Sequence, residues 1–173
     1  MPPCLLSPFG FIPAALLATL AYSGAQHEGT TASSPKSEVS VVVSVLIIRP
    51  KWLDLILTGR KVWDIRGVPS RKVGEVIYLA ASGSATIMGR ATLEAVHGPL
   101  SGAQWDASFS LHRVPSATRS YGSHTYAWAL KQVEIAQRPL AFKRNEAVIF
   151  QTLRVHPREL VACEFCPVQA EAL

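Results

Sequence analysis

Between Gly59 and Gly67 the chain reads Gly-Arg-Lys-Val-Trp-Asp-Ile-Arg-Gly, and this segment limits what the rest can fold into. Arg60, Lys61, Asp64 and Arg66 are set among Val62, Trp63 and Ile65, so the stretch must lie partly in a core while carrying four ionisable groups. Charge held against a core is costly unless it is paired or used, and sites with shifted titration cluster where it is used. The setting sharpens the point, since only 17% of the 173 residues are charged and 49% are hydrophobic. A chain of that composition builds one real core, and its length fits one domain with tails.

The flanks of this segment give the order of elements. Residues 39–48 are β-branched and almost continuously apolar, as in a strand covered on both faces. Pro50 suits the first turn of a helix, Trp52, Leu53, Ile56 and Leu57 share one face, and Gly59 stands where a left-handed cap ends it. After the charged segment, residues 76–80 and 86–96 read as a hairpin across Ser82-Gly83-Ser84, with Gly89 at a bulge or bend. Residues 100–122 lack clean periodicity and read as a long excursion with a helical turn near 103–109. Loops of that length in a small domain tend to be functional or mobile. His124 to Leu130 alternates as a strand, Arg138-Pro139-Leu140 breaks the chain, and residues 147–153 give a last strand. From His156 no strong signal follows. These elements predict a mainly β (α+β) barrel with one short early helix and a helical or loop insertion.

Outside the 39–155 domain, residues 1–25 form an apolar run without a single Lys, Arg, Asp or Glu. Small residues near Ser23 to Ala25 fit a cleaved secretory or organellar presequence, although a basic start is missing. Residues 5–22 are also long enough for an uncleaved membrane anchor, and an uninformative extension is the third reading; the compartment stays open with them. Residues 26–38 read as a flexible linker and 156–173 as a tail. The formal charge of +5 is concentrated in the middle, where Arg49, Lys51, Arg60, Lys61, Arg66, Arg71, Lys72 and Arg90 face few acids. That bias favours a polyanion partner. Three cysteines do not make a disulfide framework, and Cys163-x-x-Cys166 lacks the further ligands of a zinc site. No phosphate-binding glycine loop, dinucleotide fingerprint, zinc-protease helix or nucleophile elbow is present. Nothing points to a metal or an organic cofactor.

Gly59-x-Lys61-x-x-Asp64-x-Arg66 resembles the GxKxxExR signature of ASCH domains, members of the PUA-like β-barrel superfamily. Ile48-Arg49-Pro50-Lys51-Trp52, Ala81-Ser82-Gly83, Tyr126 to Leu130 and Ala147 to Phe150 agree with it, over about residues 44–153. Asp64 stands where the family has Glu, a carboxylate shorter by one methylene. The resemblance implies a PUA-like barrel and two functional directions. One is binding of RNA or a nucleotide; the other is hydrolysis, either of the amide of acetylcytidine or of RNA itself. Carried over by position, the hydrolase lysine falls on Lys61, its threonine on Asp64, and its glutamate near Asp106, so one position of three matches.

The residues themselves leave these directions open. Lys61 fits a base or nucleophile of depressed pKa, a phosphate grip, or a partner for Asp64. Strict strand alternation would place Lys61 and Asp64 on opposite faces, so a shared site requires a bend near Trp63. Arg66 suits a planar fork on a phosphate or on Asp64. Trp63, like Trp52 and Trp128, can stack a base or fill the core. Ser82 can offer its turn to a phosphate, His124 can line a pocket mouth, and Arg71 and Lys72 can attract a polyanion from the surface. The leading expectation is a cleft around Lys61, Asp64 and Arg66 that holds RNA or a nucleotide. A small hydrolase centred on Lys61 is the alternative, and an adaptor delivered by its N-terminal segment is a third.

Overall fold

Residues 43–48 of β1 (Val41–Ile48) are all buried, as a strand covered on both faces requires. Alternate side chains enter two different clusters: Leu46 and Ile48 one, Val43, Val45 and Ile47 the other. The computed structural model describes residues 39–143 and 150–168. The presequence and linker readings, the start of the last strand at 147–149 and the end of the tail lie outside the described residues. Helix α1 (Pro50–Leu57) starts at Pro50 and buries Leu53 and Ile56 in the first cluster. It stops at Gly59, whose φ of +74° is the left-handed cap expected there. The charged segment follows as β2 (Trp63–Arg66), then the hairpin β3 (Val76–Ala81) and β4 (Thr86–His97). The excursion carries α2 (Gly102–Ala107), α3 (Phe109–His112) and two 3-10 turns, before β5 (Tyr126–Ala141), β6 (Phe150–Val155), α4 (Pro157–Ala162) and β7 (Phe165–Pro167).

One sheet runs in the order β2-β5-β4-β3-β1-β6, with β7 added to β5. All pairs are antiparallel except β1 with β3. Register shifts at Ile87/Gly89, Arg90/Thr92 and Leu93/Ala95 coil β4 against β5, and bulges of this kind curl a sheet into a half-barrel. The fold is a mainly β half-barrel with a few short helices, which bears out the mainly β class and the early helix and insertion predicted from the element order, with the barrel left half open.

Three local expectations need correction. Arg138-Pro139-Leu140 does not break the chain: β5 continues to Ala141. Pro139 falls between the paired residues Ile135 and Leu140, in a bulged stretch where no ladder hydrogen bond is asked of it. The strand placed from His124 starts at Tyr126, because 122–124 form a 3-10 turn. The tail is structured up to Pro167. His156 caps α4 by accepting from Arg158 N at 3.1 Å, and Glu159 accepts from His156 N at 3.0 Å. Cys163 at the end of α4 is a buried free thiol, so it is not bridged to Cys166. Among the described residues no helix is long and apolar enough to cross a membrane.

Candidate functional site

The half-barrel is unsealed between β1 and β2. Strand β6 covers β1 from Val41 to Leu46, and β2 pairs with β5 on one side only. Among the described residues no ladder joins β1 to β2. A cleft of about 650 Å³ opens along this seam, between Ile47 and Ile48 on one side and Asp64, Ile65 and Arg66 on the other. The insertion closes it from above.

Lys61 enters the cleft floor because the chain reverses at once after α1. Gly59 N–H donates to Ile56 O at 3.0 Å, Lys61 N–H to Leu55 O at 2.9 Å, and Val62 N–H to Leu111 O at 3.0 Å. Strand alternation begins only at Trp63, so the bend that a site shared by Lys61 and Asp64 requires lies just before β2. The Lys61 side chain is 1% exposed. Its ammonium donates at 2.6 Å to Trp63 O and at 2.6 Å to His112 O, and stands 5.3 Å from the Trp52 ring centre. Burial pulls its pKa from 10.5 down to about 8; the Asp64 charge opposes this and Arg66 adds to it. Near neutral pH it remains mostly a cation.

His112 fixes the far side of that grip. Its Nδ1 accepts from Val114 N–H at 3.0 Å, so the proton sits on Nε2, which donates to Trp105 O at 2.8 Å. The ring stacks on Trp105 with centres 4.0 Å apart. Burial lowers the His112 pKa, with the Lys61 charge adding to it, so the imidazole stays neutral. The enclosed Trp105 indole N–H has no acceptor among the described residues. Asp64, also buried, accepts from Arg66 Nε at 2.6 Å. Arg66 spans the seam, since one of its Nη2 hydrogens goes to Ile47 O at 3.1 Å. Its Nη1 has no acceptor among the described residues.

The rim adds Arg49 and Lys51 from the start of α1, both exposed, with Lys51 4.3 Å from the Trp52 ring centre. From the insertion, Tyr121 lies over Gly67, so close that a Cβ there would stand 2.8 Å from its ring. Thr118 and Ser120 line the same wall. The cleft therefore holds four cationic side chains, Arg49, Lys51, Lys61 and Arg66, and one carboxylate already engaged by an arginine.

Of the candidate site residues singled out in the sequence, Lys61, Asp64, Arg66, Ser82 and Trp52 come together at the cleft. Ser82 N–H donates to Ile48 O at 2.7 Å, so that amide is occupied. Trp63 points elsewhere and stacks on His97 with centres 4.7 Å apart. Arg71 and His124 are exposed outside the cleft, and Lys72 pairs with Glu75 at 2.7 Å. Trp128 is core, its indole donating to Val68 O at 3.0 Å. Asp106 lies on α2, outside the cleft lining. Sequence reading missed Trp105, His112 and Tyr121, although Ser101-x-x-Gln104 carried the capping-box signal for the helix that presents Trp105. Among the described residues no group of three or more His, Cys, Asp or Glu gathers to hold a metal ion.

The ASCH domain family matches residues 46–144, more than half of the chain and all of the seam. The chain belongs to the ASCH domain family. Solved structures agree at the level of the fold. The crystal structure of ASCH from Zymomonas mobilis is 18% identical, with a TM-score of 0.56 over 73% of this chain and 97% of that one. A tyrosine-to-phenylalanine mutant of the same protein gives 0.55 at 16% identity, over 71% of this chain and 98% of that one. A serine-to-alanine mutant gives 0.55 at 16% identity, over 71% and 96%. No curated protein matches this ASCH chain. The family is linked to RNA binding, and its fold here presents the signature lysine at the cleft floor.

Proposed function

We propose that this ASCH domain binds single-stranded RNA, or a nucleotide from it, in the cleft between β1 and β2. The observation that carries the reading is the charge of the cleft: Arg49, Lys51, Lys61 and Arg66 face a single carboxylate, which Arg66 already engages. Arg49, Lys51 and the open Nη1 side of Arg66 take phosphate oxygens. Lys61, held on two carbonyls, supplies fixed positive potential at the floor, and Tyr121 and Trp52 offer aromatic faces for bases. Three phosphate contacts on a single strand predict a slope near −2 in log affinity against log salt, or about twentyfold weaker binding from 50 to 200 mM. Titration of a fluorescent nine-nucleotide oligouridine at both salt concentrations tests this, beside a combined Arg49→Ala, Lys51→Ala variant whose slope should fall by about 1.4. Binding that ignores salt, or none at all, refutes it.

A second reading rests on the pKa of Lys61 near 8. The neutral amine can keep both hydrogens on Trp63 O and His112 O, leaving its lone pair to take a proton from a water that attacks the amide carbonyl of a substrate such as acetylcytidine and to return it to the leaving amine, with acetate and cytidine as products. Turnover of acetylcytidine that rises through pH 8 and vanishes in Lys61→Met would favour it. Absence of turnover across that range removes it.

A further inference from the structure

The edge of β2 that faces the cleft carries an unused pair of main-chain groups. Leu130 N–H donates to Val62 O at 2.8 Å, which makes Trp63 and Ala129 a non-hydrogen-bonded pair of the antiparallel ladder. Alternation then gives Asp64 with Trp128 and Arg66 with Tyr126 as the hydrogen-bonded pairs. The N–H and C=O of Trp63 and of Ile65 therefore point outward, away from β5. The Trp63 carbonyl confirms this by accepting from Lys61 Nζ. Ile65 lines the cleft, and neither its N–H nor its C=O has a partner among the described residues.

We infer that the outward N–H and C=O of Ile65 read the hydrogen-bonding edge of one unstacked base in the cleft. This inference rests on the reading of the cleft as an RNA site and adds to it the way a base is held. Open strand edges more often recruit a peptide strand, which needs several consecutive donor–acceptor pairs. Here the edge is one residue long. Its N-terminal neighbour has its carbonyl taken by Lys61, and on the other side Tyr121 lies over Gly67. A single donor beside a single acceptor matches instead the edge of a nucleobase, where an acceptor such as O4 of uracil adjoins a donor such as N3–H. Main-chain groups cannot rotate away, so the pair is already oriented. Tyr121 on one wall supplies a ring against which the base can lie, and the cations of the rim hold the phosphates on either side.

The test uses the full chain and three nine-nucleotide probes: oligouridine, the same strand of N3-methyluridine, and an abasic sugar-phosphate strand. Native protein is expected to bind oligouridine about tenfold more tightly than the N3-methyl strand, the scale of losing one hydrogen bond and leaving a buried carbonyl unmatched. Ile65→Ala keeps both main-chain groups and should keep the ratio. Ile65→Pro removes only the outward N–H, which an edge strand tolerates, and should bring the ratio to about 2 or less. Where Ile65→Pro fails to fold, the native ratio decides alone. Equal binding of oligouridine and the N3-methyl strand overturns the inference while leaving the RNA reading standing. Failure of the native chain to bind any strand overturns both. Capture of an extended Glu-Val repeat peptide that displaces oligouridine and is lost in Ile65→Pro assigns the edge to peptides and also overturns it.

Discussion

Replacing Lys61 by methionine separates the electrostatic cost of the buried ammonium from its packing. Lysine ordinarily titrates at 10.5 and Lys61 titrates at about 8. At about 1.36 kcal/mol per tenfold in proton affinity, the charged side chain is disfavoured in the folded state by about 3 kcal/mol. Below pH 8 both states carry the proton, and the folded state bears this cost in full. Between pH 8 and 10.5 the unfolded chain still binds the proton while the folded one has released it, so stability rises with pH until both are neutral. Methionine fills a similar volume but cannot titrate. It also strips the donors from Trp63 O and His112 O, a loss that does not vary with pH. Urea unfolding of both proteins at pH 7.5, 9 and 10.5 is therefore compared by difference, which cancels the groups they share. The stability of the native chain relative to Lys61→Met should rise by about 3 kcal/mol across that range. A difference that stays flat, or falls, would mean that Lys61 is not desolvated and that the account of the cleft floor is wrong.

Three further perturbations follow from the same contacts. Arg66→Ala leaves the Asp64 carboxylate buried without its guanidinium and should cost about 3 kcal/mol by urea unfolding, most of it recovered in an Arg66→Ala, Asp64→Asn double variant. Gly89→Ala places a Cβ 2.5 Å from Glu134 O and 2.7 Å from Leu57 Cδ2, so it should destabilise by about 2–3 kcal/mol, seen as a lower melting temperature. His112 is held neutral by burial, and its Nδ1 is committed to Val114 N–H. Its unfolded form takes up a proton below pH 6.5 when the folded form does not, so stability should fall as pH drops through that value, and this fall should be smaller in His112→Gln.

How far the sequence reached is set by the range of the interactions involved. The strand β1, the stop of α1 at Gly59 and the hairpin of β3 and β4 depend on neighbours a few residues apart, and each was legible. So was the grouping of Lys61, Asp64 and Arg66, because charge among apolar residues has few outlets. Lys61 on His112 O is a contact across 51 positions, and no local pattern announces it. Trp63 looked free to stack a base because its partner His97 comes from β4, reached only through the pairing of β5 with both strands. Tyr121 gains its place from a close approach to Gly67, which depends on how the insertion folds back. The hidden helix α4 had a local signal in His156-Pro157-x-Glu159, but histidine is an uncommon cap.

The seam divides its cations into two kinds, and the two should differ in kinetics. A closed barrel would satisfy the facing edges of β1 and β2 by pairing them. Here side chains take over part of that work, Arg66 on Ile47 O and Lys61 on Trp63 O, and both are thereby immobilised before any ligand arrives. On the RNA reading, a strand meeting them bears little ordering cost at those positions, so they should act on how long it stays. Arg49 and Lys51 are exposed at the rim, Lys51 beside the Trp52 ring; on the RNA reading they raise the local potential and should act on how often a strand arrives. Stopped-flow binding of oligouridine at 50 mM salt should therefore show the association rate falling about threefold or more in the combined Arg49→Ala, Lys51→Ala variant, with dissociation changed less. Arg66→Lys, which keeps the charge but loses the fork across the seam, should do the reverse and speed dissociation. Equal effects of both variants on association would place all four cations in one mobile rim, and the rigid floor would lose its part in binding.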